Sequence, residues 1–381
     1  MTTLTHTLPV ASTLAVPPAN PARKAARLPK RQRLLLPALL ALLIGAVVVG
    51  AGAGAVQIPV PALLGILLHK LGLSSGLAFE PQQEAVLWAI RLPRVCLGVL
   101  VGAALGLAGA SMQGLFRNPL ADVGLIGISS GASLAAVATI VLEVKLVTLF
   151  AGFAAVREAL GFYLLPTVAF AGACATTFLV YRISREGGRT VVATMLLVGI
   201  AINALTGAFT GLLTYVATDE QLRSITFWGL GSLGGASWPT VLRLLPFLVL
   251  PLLWLPRLGK PLNLLALGEE QATHLGLPVS SLKRQLIGLA TLAVGASVAV
   301  VGAIGFLGLI VPHLIRLVAG PDNRRVLPAS ALGGAAVLVL ADTLARTVVA
   351  PAELPIGILT ALLGAPVFLW ILLRQRRFRQ G

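Results

Sequence analysis

The stretch LIGLATLAVGASVAVVGAIGFLGLIVPHLI, residues 286–315, runs for thirty residues without a charge. A helix crossing the hydrocarbon core of a bilayer takes about 20 apolar residues, so this run is long for one crossing and short for two. Eight other apolar runs lie at 34–56, 95–115, 123–141, 162–181, 191–216, 238–255, 327–349 and 354–373. One helix in the thirty-residue run gives nine spans and sends the termini to opposite sides. Both termini are strongly basic: Arg23, Lys24, Arg27, Lys30, Arg31 and Arg33 at one end, Arg374, Arg376, Arg377 and Arg379 at the other. Lys and Arg gather on the cytoplasmic side. The termini therefore share that side, and the run divides into two short or tilted helices turning near Val301, Gly302 and Ala303. Ten spans is the expected count.

Composition leads to the same class. The chain has 381 residues, 57% hydrophobic and 11% charged, with a mean hydropathy of +0.94, where a soluble domain carries about 25% charged residues. Its 41 Gly and 24 Pro suit membrane helices, which tolerate close crossings and breaks. Cys96 and Cys174 sit in apolar runs and make no disulfide framework. The formal charge of +16 is explained by topology. With ten spans, 21 of the 29 basic residues fall on the cytoplasmic side with five acidic ones, and eight of each fall outside. The whole excess is cytoplasmic, and no nucleic-acid partner is needed to account for it.

Three segments follow: a basic, disordered cytoplasmic tail at 1–33, a ten-helix membrane domain at 34–374, and a basic cytoplasmic tail at 375–381. Ala51, Ala53 and Ala55 imitate a signal-peptidase site, but a 33-residue leader and a 23-residue apolar run exceed the usual dimensions of a secretory signal. The segment Leu142–Leu160, with Glu143, Lys145, Arg157 and Glu158, reads as an outer-surface helix.

Gly98, Gly102, Gly106 and Ala110 form a small-xxx-small ridge, which lets helices approach closely inside lipid. The ridge serves either packing within one chain, the preferred reading, or a subunit interface. Arg91, Arg94 and Arg346 cluster at the outer surface. They read either as interfacial anchors, with Arg346 paired to Asp342 one turn away, or as a docking site for an acidic partner, since guanidinium groups grip carboxylates bidentately. The cytoplasmic loop at about 257–285 holds one or two short helices ending at Gly276, with Pro278 shortly after. No phosphate-binding GxxxxGK[ST] loop occurs, and Gly259-Lys260 runs directly into Pro261. The four histidines have no metal-ligand spacing, so no catalytic, metal or cofactor site is expected in the chain. No acid pair faces the midplane as a proton relay would require. An ion-driven secondary carrier is thereby disfavoured, and a non-transporting membrane scaffold is the other class to weigh.

Several motifs in order carry a resemblance: RLPR at 91–94, GASMQGLFRNPLAD at 109–122, GISSGA at 127–132, LALGEE at 265–270, GAIGFLGLIVPH at 302–313, ELPIGI at 353–358 and GAP at 364–366. Together they resemble the FecCD-type permeases, the membrane subunits of bacterial ABC importers for ferric siderophores, heme and cobalamin. Val123 departs from the proline that many members carry there. The resemblance implies an all-α, ten-helix, type II ABC importer permease fold in the bacterial inner membrane. It further implies a homodimer with the path at its interface, two cytoplasmic ATP-binding cassette subunits that hold ATP and Mg, and a periplasmic substrate-binding protein. By the same resemblance Arg91, Arg94 and Arg346 meet glutamates of the binding protein. Leu265, Gly268, Glu269, Glu270, Ala272, Gly276 and Leu277 belong to the coupling helices in the ATPase cleft, and Val191, Val192, Ala193 and Thr194 line the path and its inner gate. Residues 211–228, GLLTYVATDEQLRSITFW, with GSL at 231–233, look most like the heme-importing branch, with a siderophore or cobalamin as the alternative cargo.

Overall fold

A computed structural model describes residues 30–73, 76–349 and 352–379, so most of the expected N-terminal tail lies outside the described residues. The chain opens with α1 (Lys30–Gly52), followed by the short α2 (Val60–Lys70) and α3 (Pro81–Val86). A wide turn at Leu87–Arg91 joins α3 to α4 (Leu92–Phe116). After a 3-10 turn at Val123–Ile126 come α5 (Ile128–Leu149), α6 (Ala151–Leu160) and α7 (Leu164–Ile183). A hairpin of two-residue strands, β1 (Arg185–Glu186) and β2 (Arg189–Thr190), leads into α8 (Val192–Tyr215), α9 (Asp219–Leu230) and α10 (Trp238–Trp254). The short α11 (Gly259–Leu265) and α12 (Glu269–His274) precede α13 (Val279–Val301), α14 (Leu307–Ala319), α15 (Asn323–Ala345) and α16 (Ile356–Arg379).

Among the described residues, eight helical segments are long and apolar enough to cross a membrane. These are α1, α3–α4, α5, α6–α7, α8, α10–α11, α13 and α15; α14 and α16 complete ten. Arg325, in the first turn of α15, donates to Gln32 Oε1 near the start of α1 at 2.6 Å. Along α16, Gly357 lies beside Leu230 and Ala303, and Gly364 beside Phe306 and Ile310, so α16 runs alongside α14. The start of α1 and the end of α16 therefore share one face, here the terminal face.

The thirty-residue run divides at Gly302, whose φ of +75° favours a residue without Cβ. Only its second half is short. α13 has 23 residues and begins at Val279, so Lys283 and Arg284 ride in its first two turns, Arg284 exposed and Lys283 buried. Residues 302–306 are non-helical, and α14 starts part-way along α4, with Gly308 against Leu105 and Gly109.

α4 is buried along almost its whole length, and its main partner is α15. A Cβ on Gly102 would collide with the carbonyl of Gly334, and one on Gly106 with the carbonyl of Ser330. The small-residue ridge thus serves packing within one chain. Dispersion between closely approaching backbones does here what hydrophobic drive does in water.

Three boundaries differ from the sequence reading. α1 begins at Lys30, so residues 30–33 of the expected tail are helical, since the basic residues there are good helix formers. Residues 142–149 continue α5, and only 151–160 form a separate helix, tied back by Arg157 Nε to Glu143 Oε1 at 2.5 Å. At the C-terminus α16 continues through residues 375–379, because nothing in that run breaks a helix.

Candidate functional site

Two polar seams stand out, one on each face. At the face opposite the termini, α1 ends and leaves its last carbonyls without helical donors. Arg91 Nη1 donates to Ala51 O at 2.8 Å and Gly52 O at 2.6 Å, and its Nη2 to Val56 O. Arg346 Nη1 donates to Ala53 O at 2.7 Å and its Nη2 to Gly50 O. Between them Arg94 Nε lies 3.0 and 3.1 Å from the two Asp342 oxygens, Nη2 lies 2.9 Å from Oδ1, and Nη1 lies 2.8 Å from Glu353 Oε1. The Arg346–Asp342 pair foreseen at one-turn spacing is looser, at 3.6 Å.

The three arginines are brought together, and their guanidinium groups face the chain. Arg91 and Arg94 are 4% and 7% exposed, while the Glu353 side chain is 47% exposed. Three cations meet two carboxylates, which leaves the cluster one positive charge in excess. Arg94 meets Asp342 and Glu353 through packing between α4, α15 and the stretch before α16, relations that no local spacing announces.

At the terminal face the segment from α11 to α13 makes the second seam. Leu265 and Ala272 are buried and hold the two short helices down. Leu267 and Leu275, each 61% exposed, point away from the bundle, and Glu270 and Gly276 are exposed beside them. Gly268 has φ +118°, the break that turns α11 into α12. Asn263 Nδ2 donates to Asp322 Oδ1 at 2.6 Å, and Asn263 Oδ1 accepts from the backbone N–H of Asn323 at 2.9 Å, fastening α11 to the start of α15. Burial alone pushes the Asp322 carboxyl up, but the Asn263 amide and the Arg324 backbone N–H outweigh it and hold it below its ordinary range.

Glu269 turns inward. Its two oxygens lie 2.6 and 2.7 Å from Lys283 Nζ, and that ammonium also donates to Thr190 O at 2.7 Å. In the sequence Lys283 is one of the 21 basic residues that the ten-span arrangement puts on the cytoplasmic side, and nothing sets it apart from the others. Its separation from Glu269 by 14 residues, across a turn, gives no periodic signal.

The hairpin meets α8 at Val191–Thr194. Val191 N donates to Ser184 O at 3.1 Å, and Thr194 Oγ1 donates to Glu186 Oε1 at 2.9 Å. Beyond this point α8 carries no charged residue. Thr206, Thr210 and Thr214 return their hydroxyls to carbonyls four residues back, and Leu197, Ile200, Leu205, Phe209 and Leu212 are exposed. This face of α8 is apolar up to Tyr215 at its end, which is exposed.

A ten-helix bundle with short helices projecting at one face and a charge-free helix wall is the architecture of a type II ABC importer permease. It matches a solved metal-chelate type ABC transporter in an inward-facing conformation, with TM-score 0.76 and 33% identity over 90% of this chain and 99% of that one. The chain belongs to the FecCD transport family, whose model matches residues 40–374. Among its relatives, the hemin transport system permease protein HmuU of Yersinia pestis is 48% identical over 322 residues, 82% of this chain and 92% of the relative. The vitamin B12 import system permease protein BtuC of Escherichia coli O9:H4 (strain HS) is 41% identical over 83% and 92%. An uncharacterized ABC transporter permease, YvrB of Bacillus subtilis (strain 168), is 42% identical over 87% and 91%. The chain is a multi-pass membrane protein and the permease part of an ABC importer.

Proposed function

We propose that this chain carries hemin across the bacterial inner membrane, from periplasm to cytoplasm, as a homodimer with two ATPase subunits and a periplasmic binding protein. The observation that carries the choice of cargo is the 48% identity with the hemin permease, against 41% and 45% with cobalamin permeases. The apolar exposed face of α8 supports it: α8 has no histidine and its one methionine, Met195, is buried, so neither is presented there to chelate the iron and hold the cargo. ATP and Mg bind the partner subunits, and the chain itself catalyses nothing. The terminal face is cytoplasmic, in keeping with its basic residues.

In this reading Leu265, Gly268, Glu269, Glu270, Ala272, Gly276 and Leu277 form the coupling segment. Its exposed leucines enter the ATPase cleft, and Val191, Val192, Ala193 and Thr194 form the inner gate. The binding protein docks on the rim that holds Arg91, Arg94 and Arg346. Those guanidinium groups reach its carboxylates by exchanging their present partners, so docking and the conformation of residues 50–56 are linked.

The test is ATP-dependent hemin uptake into liposomes that hold the chain, its ATPase subunit and its binding protein. Uptake requiring all three is expected. Cobalamin uptake without hemin uptake would keep the importer and change the cargo, and no ATP-linked uptake from a well-folded complex would overturn the proposal.

A further inference from the structure

Lys283 is 2% exposed, and a buried ammonium is tolerated only when its charge and its donors are answered. An ammonium has three N–H donors, and three acceptor oxygens are in place. Two belong to the Glu269 carboxylate, at 2.6 and 2.7 Å, and the third is the Thr190 carbonyl, at 2.7 Å. The acceptors come from two separate elements. Glu269 is the first residue of α12, and Thr190 is the last residue of the hairpin, one position before Val191.

Elsewhere these elements stand apart. Between them lies a groove of about 690 Å³, lined by Tyr181, Arg189, His274 and Ser280 among others. Lys283 crosses it. Separating α12 from the hairpin would leave either a buried cation without its counter-charge or a donor without an acceptor, so a displacement of α12 draws Thr190 with it. From Thr190 the connection to α8 is short and fastened twice, by Val191 N to Ser184 O and by Thr194 Oγ1 to Glu186 Oε1. On its other side α12 is flanked by the exposed Leu267 and Leu275, an apolar handle suited to a partner.

We propose that Lys283 is the positioning residue that makes α12 and the hairpin move as one body, passing displacement of the coupling segment to the first turn of α8. This rests on the assignment of 265–277 as the ATPase-contacting segment and of 191–194 as the gate.

The test uses the full complex in liposomes, with Lys283→Met, Glu269→Gln and the double variant, and hemin and cobalamin as cargoes. If Lys283 transmits motion, Lys283→Met retains assembly and ATP hydrolysis while uptake per ATP hydrolysed falls about tenfold, within the range of coupling between linked sites. The double variant is then no worse than the single ones, because all three cut the same link. A structural role alone would lower assembly, hydrolysis and uptake together.

A second readout follows the motion itself. With Cys96 and Cys174 replaced by serine, spin labels at Arg189→Cys and His274→Cys report the span of the groove. The expected wild-type distance is the same with and without ATP, whereas Lys283→Met gives a broadened distribution that shifts with ATP. If Lys283→Met does not assemble, Glu269→Gln, which keeps the shape of the side chain, decides by the same two readouts. Wild-type uptake per ATP together with an unchanged label distance in the variants would overturn the link and leave the importer reading intact. A wild-type complex that binds no ATPase subunit and takes up neither cargo would remove that reading, and the link with it.

Discussion

Arg94 and Asp342 meet side-on although 248 residues separate them: the guanidinium presents Nε and Nη2 to one carboxylate, both at about hydrogen-bond length, and both side chains are buried. Arg346 closes on the same carboxylate and Glu353 on the same guanidinium, so four charges hold α4, α15, the end of α1 and the approach to α16 together. Removing one partner of a buried pair costs about 3–5 kcal/mol, because the other charge is left without compensation.

Asp342→Ala is therefore expected to destabilise the protein by about that amount, read as a lowered Tm in detergent. Arg94→Met with Asp342→Leu, which removes both charges of the pair, is expected to lose less than Asp342→Ala alone.

The same burial sharpens the docking test. Reversing Arg91, Arg94 and Arg346 together is expected to weaken binding-protein docking and to lower Tm in parallel, since Arg91 and Arg346 cap α1 and Arg94 holds Asp342 and Glu353. Glu353→Gln removes the half-exposed charge of the cluster and is the milder probe. If the triple reversal abolished docking at an unchanged Tm, the arginines would act by direct contact alone.

The crossing of α4 and α15 admits no side chain at its closest points. Gly106→Ala is expected to displace α15 or to prevent folding, seen as loss of a monodisperse peak on size-exclusion chromatography. Gly211→Ala, with open space around its Cβ, is expected to fold normally and to be stabilised by up to about 1 kcal/mol from helix propensity.

Acid should loosen the terminal face at Asp322. A carboxyl whose folded pKa lies below its unfolded value contributes its stability above the unfolded value, near pH 4 for aspartate as an approximate reference, and loses it as pH falls through the folded value. Tm of the wild type is expected to fall with pH below that reference. Asp322→Asn, with no proton to gain, is expected to show a shallower slope.

Glu186→Ala removes the acceptor of the Thr194 hydroxyl and frees the start of α8 from the hairpin. A hydrogen bond worth about 1 kcal/mol corresponds to roughly a fivefold shift in a two-state balance. The passive leak of hemin from loaded liposomes is expected to rise by that factor.

Span count and the placing of both ends on one face were readable because hydropathy and charge act locally: a basic tail and an apolar run carry their meaning without neighbours. The depth of α14 was not readable, since it is set by Gly308 seating against Leu105 and Gly109, residues about two hundred positions earlier. The arginines announced themselves as a group, but the direction they face depends on carbonyls released where α1 ends. Lys283 and Glu269 carried no joint signal, because a turn between α12 and α13 destroys any helical spacing. The continuation of α5 through Glu143 and Lys145 was obscured because charged residues near a membrane surface suit a helix end and a separate surface helix equally well.

The non-helical stretch at 302–306 and the thirteen residues of α14 bear on how the chain is made. At 1.5 Å per residue α14 is roughly 20 Å long, short of the ~30 Å hydrocarbon core, and open backbone is tolerated at that depth only when protein surrounds it. Released alone into lipid as the chain emerges, α14 would expose peptide groups that nothing satisfies. Part of its shelter is α16, through Gly364 against Phe306 and Ile310, and α16 is synthesised last. The block from α14 to α16 is thus integrated awaiting α16, and with Cys96 and Cys174 replaced by serine, a cysteine introduced in α14 should react with water-soluble thiol reagents in a chain truncated before Ile356 and be protected when α16 is present.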